Sequence, residues 1–505
     1  MKMQRLLVTA LMLGLSIAPM TSAERNDTSS RDPHETDPRL TAHDAVAPGS
    51  FLTLDDWSII GDQPGVEFGY SVATAGDVNG DGYADVIVGA PMYDNGTDNE
   101  GAVFVFYGSP AGLSTTPDWT VGSGQKGARF GHSVGTAGDV NGDGCDDVIV
   151  GAYRYRSDGP EAGRAYVFLG SKDDGLSTSP DWTFDGAHSY AHLGISVGTA
   201  GDVNSDTYAD IIVGASFYTN DQSAEGAAYV FYGSPSGPMT TPHWMVEGDQ
   251  ANALFGAAVG TAGDVNGDGY GDVIVGAPQH DNGETDEGAV FVFYGSDSGL
   301  STSHNWTVDS DQAEAEFGAS VGTAGDTNGD DCSDIIVGAP QYNNGQLDGG
   351  GAFVFYGSPT GPSETAGWSV EGDQDAIQFG ISVGTAGDVN ADGYADVIVG
   401  APHYSGDAPD GKPDEGGAFL FRGSAFGLRT IVGWSEGGNK TDTDFGTSVG
   451  TAGDVNGDGC ADVIAGAPIY RWNEKLLGLV LVHHGEKGTD PEFHTYLPLV
   501  LKASQ

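Results

Sequence analysis

Basic residues are scarce in this chain. Lys and Arg number 19 against 72 Asp and Glu, giving a formal charge of −53. Such a balance repels nucleic acid and anionic membrane surfaces, which excludes both as partners. It suits cation binding, a saline or extracellular setting, or both. Cysteine is scarcer still, and three in 505 residues cannot build a disulfide scaffold. The 23 prolines follow no Gly-X-Y period, so collagen is excluded. No segment carries a helical apolar period. No stretch beyond the N-terminal segment approaches the ~20 apolar residues that span a bilayer. What the chain holds in quantity is glycine, 82 residues, which weakens helix interiors and supplies turns. Apolar residues at 38% and aromatics at 10% are enough for a packed core.

The N-terminus reads as a processing segment. Lys2 and Arg5 form a positive start, Leu6–Ile17 is an apolar run of secretory length, and Thr21-Ser22-Ala23 ends it with small residues. Residues 1–23 are therefore expected to be a signal peptide and 24–50 a polar, flexible leader. Residues 51–485 form the body and 486–505 a tail. Export to the outside or to the cell surface follows.

The body is one unit used seven times. The string T-A-G-D-x-N places its Asp at 77, 139, 202, 264, 326, 388 and 454. A Trp recurs in step with it, at 57, 119, 182, 244, 306, 368 and 434. A period near 60 residues fits one four-stranded blade better than a helical solenoid repeat. In the first unit, Ser71–Ala75, Asp85–Val88, Gly101–Tyr107 and Trp119–Val121 read as four short strands separated by turns. The expected fold is all-β, a seven-bladed propeller of four-stranded antiparallel blades. The seventh unit has no Trp strand after it, whereas the chain begins with a spare one, Trp57–Ile60. That strand is expected to close the last blade beside Gly478–His483. One ring thus replaces the three domains that length alone suggests at roughly 150 residues each.

The strongest chemical signal is the turn D-x-N-x-D-x-x-x-D inside each unit. Its side-chain ligands are Asp77, Asn79, Asp81 and Asp85 in unit one, and Asp139, Asn141, Asp143 and Asp147 in unit two. Units three and four supply Asp202, Asn204, Asp206, Asp210 and Asp264, Asn266, Asp268, Asp272. Units five and six supply Asp326, Asn328, Asp330, Asp334 and Asp388, Asn390, Asp392, Asp396. Unit seven supplies Asp454, Asn456, Asp458 and Asp462. The carbonyl of position 7 adds an oxygen from Tyr83, Cys145, Tyr208, Tyr270, Cys332, Tyr394 or Cys460. Alternate oxygens on a tight loop wrap a hard cation, and Ca2+ takes about 6–8 of them. Strand-capping Asx turns alone would explain Asn and Gly. They would not explain three mutually repelling carboxylates in every loop. Up to seven Ca2+ ions, one per blade and structural in role, are expected. Position 6 is Gly in five loops but Thr207 in blade three and Asp331 in blade five. Blade three should therefore hold its ion most weakly.

These residues carry a resemblance. Phe68-Gly69, the loop Gly76–Asp85 and Gly89-Ala90-Pro91 together resemble an FG-GAP repeat of the integrin α-subunit N-terminal β-propeller. The FG pair recurs at Phe130, Phe255, Phe317, Phe379 and Phe445, with Leu193-Gly194 as the departure. The GAP triplet recurs at Gly276, Gly338, Gly400 and Gly466, whereas Tyr153 and Ser216 replace its Pro in units two and three. The resemblance implies a seven-bladed propeller, Ca2+ in the loops between first and second strands, and extracellular adhesion or ligand binding. The leg domains, membrane helix and tail of an integrin α chain are not found, so an integrin β-subunit partner is not expected and the chain is read as a monomer.

Catalytic signals are weaker. Five G-x-S-x-G matches, around Ser133, Ser196, Ser320, Ser382 and Ser448, fall on repeated inner strands with no helix after them, unlike a nucleophile elbow. No unrepeated acid pair or His converges on one place, so the chain is expected not to be an enzyme. The alternative is a carbohydrate-active or other extracellular hydrolase or lyase built on a propeller. The three Cys sit in different blades and are expected to be free thiols. Asn95, Asn305 and Asn439 head glycosylation sequons.

Strand alternation puts the metal loops on one face and the post-GAP and pre-FG loops on the other. The second face carries Tyr93, Tyr153, Phe217, Tyr218, Tyr342, Tyr404 and Trp472, placed either to bind a protein or glycan or to pack between blades. No Lys or Arg occurs from Asp173 to Gly411. Blade two concentrates Lys126, Arg129, Arg154, Tyr155, Arg156 and Arg164, a candidate anion-binding patch. The competing reading of these cations is local pairing with Asp158 and Glu161.

Overall fold

The second strand of each repeat sets the architecture. Asp85–Ala90 (DVIVGA) is buried along its whole length, as a strand covered on both faces must be. Val86, Val88 and Ala90 point into one apolar cluster, and Ile87 into the next. Alternation of side chains across the strand therefore feeds two interfaces at once. The same division in every repeat yields seven clusters, each shared by two adjacent blades.

The computed structural model describes residues 52–54 and 57–488, except 158, 173, 344 and 407–412. The segments expected to be signal peptide and leader, and most of the tail, lie outside the described residues. Among the described residues every regular element is a strand. Blade one comprises Ser71–Gly76, Asp85–Ala90, Ala102–Phe106 and Trp119–Gly122, paired antiparallel in that order. Six further blades repeat it, giving the seven-bladed propeller. The last is closed by Trp57–Ile60 against Leu479–His483, with Trp57 opposite Val482 and Ile60 opposite Leu479. Leu52–Leu54 adds a fifth strand outside it, a pairing the repeat pattern did not reveal.

Three repeated contacts lock blade to blade. The FG phenylalanines are buried, as with Phe130 in the interface of blades one and two. The glycine after each Phe meets the glycine of the preceding blade's GAP triplet backbone to backbone. A Cβ on Gly89 would lie 2.0 Å from the Gly131 carbonyl oxygen, and one on Gly466 would lie 2.0 Å from that of Gly69. Only glycine permits that approach. The Trp indoles reach into the next blade, with Trp57 Nε1 donating to the Ser114 carbonyl at 2.8 Å and Trp119 Nε1 to that of Ser177 at 2.9 Å.

A fourth contact accounts for the G-x-S-x-G serines. The hydroxyl oxygen of each accepts the backbone N–H of the next blade's inner strand. Ser133 accepts from Val197 at 3.1 Å, Ser196 from Val259 at 3.1 Å and Ser320 from Val383 at 2.9 Å. Ser382 accepts from Val449 and Ser448 from Val72, each at 3.0 Å. They are a ring of struts round a central channel lined by Thr74, Thr136, Thr199, Thr261, Thr323, Thr385 and Thr451.

Candidate metal loops and the opposite face

Each D-x-N-x-D loop turns its main chain around its own acids. In blade one Asp77 accepts from Asp81 N at 3.0 Å and Gly82 N at 2.8 Å, Asn79 Oδ1 from Asp81 N at 2.9 Å, and Asp81 from Tyr83 N at 3.0 Å. Blade three keeps this pattern with Thr207 N in place of Gly82 N. Its backbone there holds φ +78°, and Ser205 holds +58°.

The position-9 acids differ from the others. Asp85, Asp147, Asp210, Asp272, Asp334, Asp396 and Asp462 are fully buried. Both oxygens of Asp85 are engaged, by Gly108 N at 2.8 Å and Val78 N at 3.0 Å, and Asp462 repeats this with Gly485 and Val455. Each thus ties the loop to the end of the third strand. Burial pushes the carboxyls of Asp85 and Asp147 up to about 8 despite those N–H bonds, and the neighbouring loop acids add to it. A buried carboxyl of this kind, beside two more carboxylates, is relieved by a cation.

The loops are also joined in a circle. The position-8 N–H of every loop donates to the position-1 carbonyl of the loop before it, from Asp146 to Asp77 at 3.0 Å round to Ala84 to Asp454 at 3.1 Å. Position 7 fills the space between them. Tyr83 lies against Gly457 of the preceding loop, Tyr208 against Gly142, and Cys145 Sγ against Gly80. This contact accounts for the repeated Tyr or Cys. All three Cys are free and buried.

The donor set fits a hard cation, with three carboxylates, an amide oxygen and a carbonyl in each loop. Asn328 Oδ1 in blade five is buried with no hydrogen-bond partner, an acceptor that a cation would satisfy. The loop acids do not themselves gather three carboxylate oxygens within 4.8 Å. Among the described residues only Glu287, Asp309 and Asp311, on the other face, do so.

On that other face the cations of blade two are paired. Arg154 Nη2 lies 2.6 Å from Glu161 Oε1. Arg164 Nη2 donates to Asp185 at 2.7 Å, and its guanidinium lies 4.0 Å above the Tyr155 ring. Lys126 pairs with Asp98. Arg156 is exposed, and its backbone N–H and carbonyl are bonded by the Gln125 amide. Asp158 lies outside the described residues. Arg129 holds a positive φ of 60°, and burial raises the pKa of Glu67, with the charge of Arg129 offsetting part of that rise.

Most of the face's aromatics pack between blades. Tyr218 and Tyr404 are buried, and Tyr93 and Tyr342 pack edge-on against Phe104 and Phe353. Phe217 is exposed and ends a run of rings, Tyr70, His132, Tyr153, His192 and Phe217, with centroids 4.5–5.1 Å apart. Burial first, and then the charges of Arg129 and His192, bring His132 down to about 4. Sequence reasoning also passed over a glutamine six residues after each of five Trp. Gln63, Gln125, Gln250, Gln312 and Gln374 each clamp the main chain of the next blade's post-GAP loop with both ends of the amide, as Gln250 does at Asp281 with 2.7 and 2.8 Å bonds. Its recurrence beside Trp was the available signal.

The FG-GAP repeat family matches seven segments, residues 68–106, 130–168, 193–231, 255–293, 317–355, 379–419 and 445–481. Integrin alpha-PS2 of Drosophila melanogaster is 33% identical over 278 residues, covering 52% of this chain and 18% of that protein. Integrin alpha-5 of Xenopus laevis is 33% identical over 219 residues, 42% of this chain and 20% of that protein. Phosphatidylinositol-glycan-specific phospholipase D of Homo sapiens is 27% identical over 409 residues, 73% of this chain and 47% of that protein. The chain thus spans less than half the length of these relatives. The phospholipase overturns the expectation that the chain is not an enzyme. An enzyme by name matches most of this chain, and groups that converge only through the fold leave no pattern in the sequence. Seven matched repeats, seven blades and the FG-to-GAP glycine contact between them agree: the chain belongs to the FG-GAP repeat family, as an integrin-α-like β-propeller.

Proposed function

We propose that this propeller is an extracellular, calcium-binding module that takes a protein or glycan ligand on the face opposite its metal loops. The observation that carries the calcium reading is the loop itself. Its acids are wrapped by their own main chain, and a buried carboxyl pushed up to about 8 stands beside them in blades one and two. Asp77, Asn79, Asp81, the Tyr83 carbonyl and Asp85 would hold the ion in blade one, and their counterparts would do so in the other six. Bound Ca2+ supplies positive charge that neutralises the clustered acids, and its role is structural. Ligand binding is supported by the integrin α relatives and by Phe217, exposed at the end of the ring run. Secretion is supported by the N-terminal sequence and by the same relatives. The phospholipase D relative favours a second reading, an extracellular hydrolase. Melting the full chain with Ca2+ and with EGTA tests the first reading. The expected result is a clearly lower melting temperature in EGTA, and an unmoved one would defeat it. A glycan and matrix-protein array identifies the ligand. Hydrolysis of a phosphatidylinositol-glycan by the purified chain would support the second reading.

A further inference from the structure

Blade four carries a second kind of acidic site, on the face away from the Asp-x-Asn loops. Ala289 stands opposite Asp309 in the ladder. That register brings Glu287, at the end of the post-GAP loop, beside Asp309 and Asp311 at the exit to blade five. One carboxylate oxygen of each lies within 4.8 Å of the other two. Glu287 is 1% exposed. Its Oε1 accepts the backbone N–H groups of Asn282 and Glu284, and its Oε2 is buried without a hydrogen-bond partner. Asn282 Nδ2 donates to Asp309 Oδ2 at 2.8 Å, and Ser310 Oγ holds the Glu287 carbonyl at 2.8 Å. The acids are thus held in place with one buried oxygen left over.

No lysine or arginine of blades three to five neutralises them, and the one basic group beside Asp309 among the described residues, His280, is driven towards its neutral form by burial. The sequence has no Lys or Arg between Asp173 and Gly411, the stretch that builds blades three to five. A buried carboxylate beside two others, without a cation, is costly. Three hard oxygen donors and no nitrogen or sulfur select a hard divalent ion. Blade three carries acids at equivalent positions, Glu225, Glu247 and Asp249, with Asn220 bonded to the first two. Among the described residues that set does not gather three oxygens. The convergence belongs to blade four and not to the repeat. We propose that Glu287, Asp309 and Asp311 form a Ca2+ site on the post-GAP face, separate from the Asp-x-Asn loops and independent of whether those loops bind metal.

The test counts Ca2+ bound per full-length chain by equilibrium dialysis, for wild type, Asp311→Asn, Glu287→Gln, the blade-three control Glu225→Gln and a loop variant, Asp139→Asn/Asp143→Asn. Asp311 is exposed, so its variant keeps the fold and decides the matter should Glu287→Gln fail to fold. Asp311→Asn and Glu287→Gln should each bind one ion fewer than wild type, and Glu225→Gln the same number. The loop variant should lose a different ion, additively with Asp311→Asn. If the loops bind nothing, wild type should hold a single ion that Asp311→Asn removes, so failure of the loop reading and failure of this one give different counts. A wild-type count in both Asp311→Asn and Glu287→Gln would overturn the site. So would a Glu287→Gln chain that keeps the full count and melts higher without calcium, since Glu287 would then be a protonated core acid.

Discussion

Single residues decide where the repeat is weakest. Thr207 occupies a position that is Gly in five loops, at φ +78°, where a β-branched side chain is strained. Thr207→Gly removes that strain and should stabilise the protein by about 1 kcal/mol. In chelator titrations wild-type blade three should empty first, and the variant should shift that step to higher chelator. Loss of the blade-one ion before the blade-three ion would contradict this ordering. His132 gives a pH signature. Burial between the Tyr70 and Tyr153 rings takes it from 6.5 to about 4. The folded state therefore holds it neutral while the unfolded chain protonates it. Its contribution is intact above pH 6.5 and is lost as pH falls from 6.5 to 4. The difference in melting temperature between wild type and His132→Phe, followed from pH 7.5 to 4, should swing against wild type in that window. A constant difference would show that His132 titrates in the fold as it does in the unfolded chain.

At the scale of elements, the FG and GAP triplets are one contact seen from two sides. Gly89→Ala places a Cβ 2.0 Å from the Gly131 oxygen. Both partners are backbone, so no rotamer change relieves the clash, and blade one must move off blade two. The cost should be roughly 3 kcal/mol, read as a lower urea midpoint. Gly82→Ala, whose added Cβ meets nothing within 4 Å, should cost less despite its positive φ. The strands themselves were legible in sequence because an apolar run between turns, repeated in step with Trp, leaves few alternatives. Blade closure was legible from the count of Trp strands. The role of the inner-strand serines was not, since a hydroxyl strut to the next blade depends on a contact more than 60 residues away in sequence. Nor was the attachment of the position-9 acids to Gly108 and its counterparts. A regular ligand spacing looks the same whether an oxygen faces an ion or a backbone N–H. The Glu287 cluster was illegible for a further reason. Blade three has acids in the same places, Glu225, Glu247 and Asp249, yet only the blade-four set gathers its oxygens among the described residues.

The whole ring depends on a seam that the repeats do not supply. Blade seven takes its outer strand from the other end of the described chain, and Ile59 and Ile60 of that strand enter the clusters blade seven shares with blades one and six respectively. The hydrogen-bonded circle of Asp-x-Asn loops also crosses the seam, from Ala84 to Asp454. Removing residues 1–60 therefore does more than shorten a blade. It bares the edge of Leu479–His483, an apolar strand with unpaired N–H and C=O groups that invite another chain. It also removes Trp57, whose indole bonds blade one at Ser114. With a net charge of −53 to hold together, an opened ring should spread further at low salt, where the Debye length grows from about 10 Å at 0.1 M towards about 30 Å at 0.01 M. The truncated chain should thus melt lower than the full chain by a margin that widens as salt is removed, and it should self-associate in light scattering. Adding Trp57–Ile60 back as a longer peptide spanning residues 51–62 should reverse both effects in part. A truncated chain that stays monomeric and melts with the full chain would show that the ring closes through its blade cores alone.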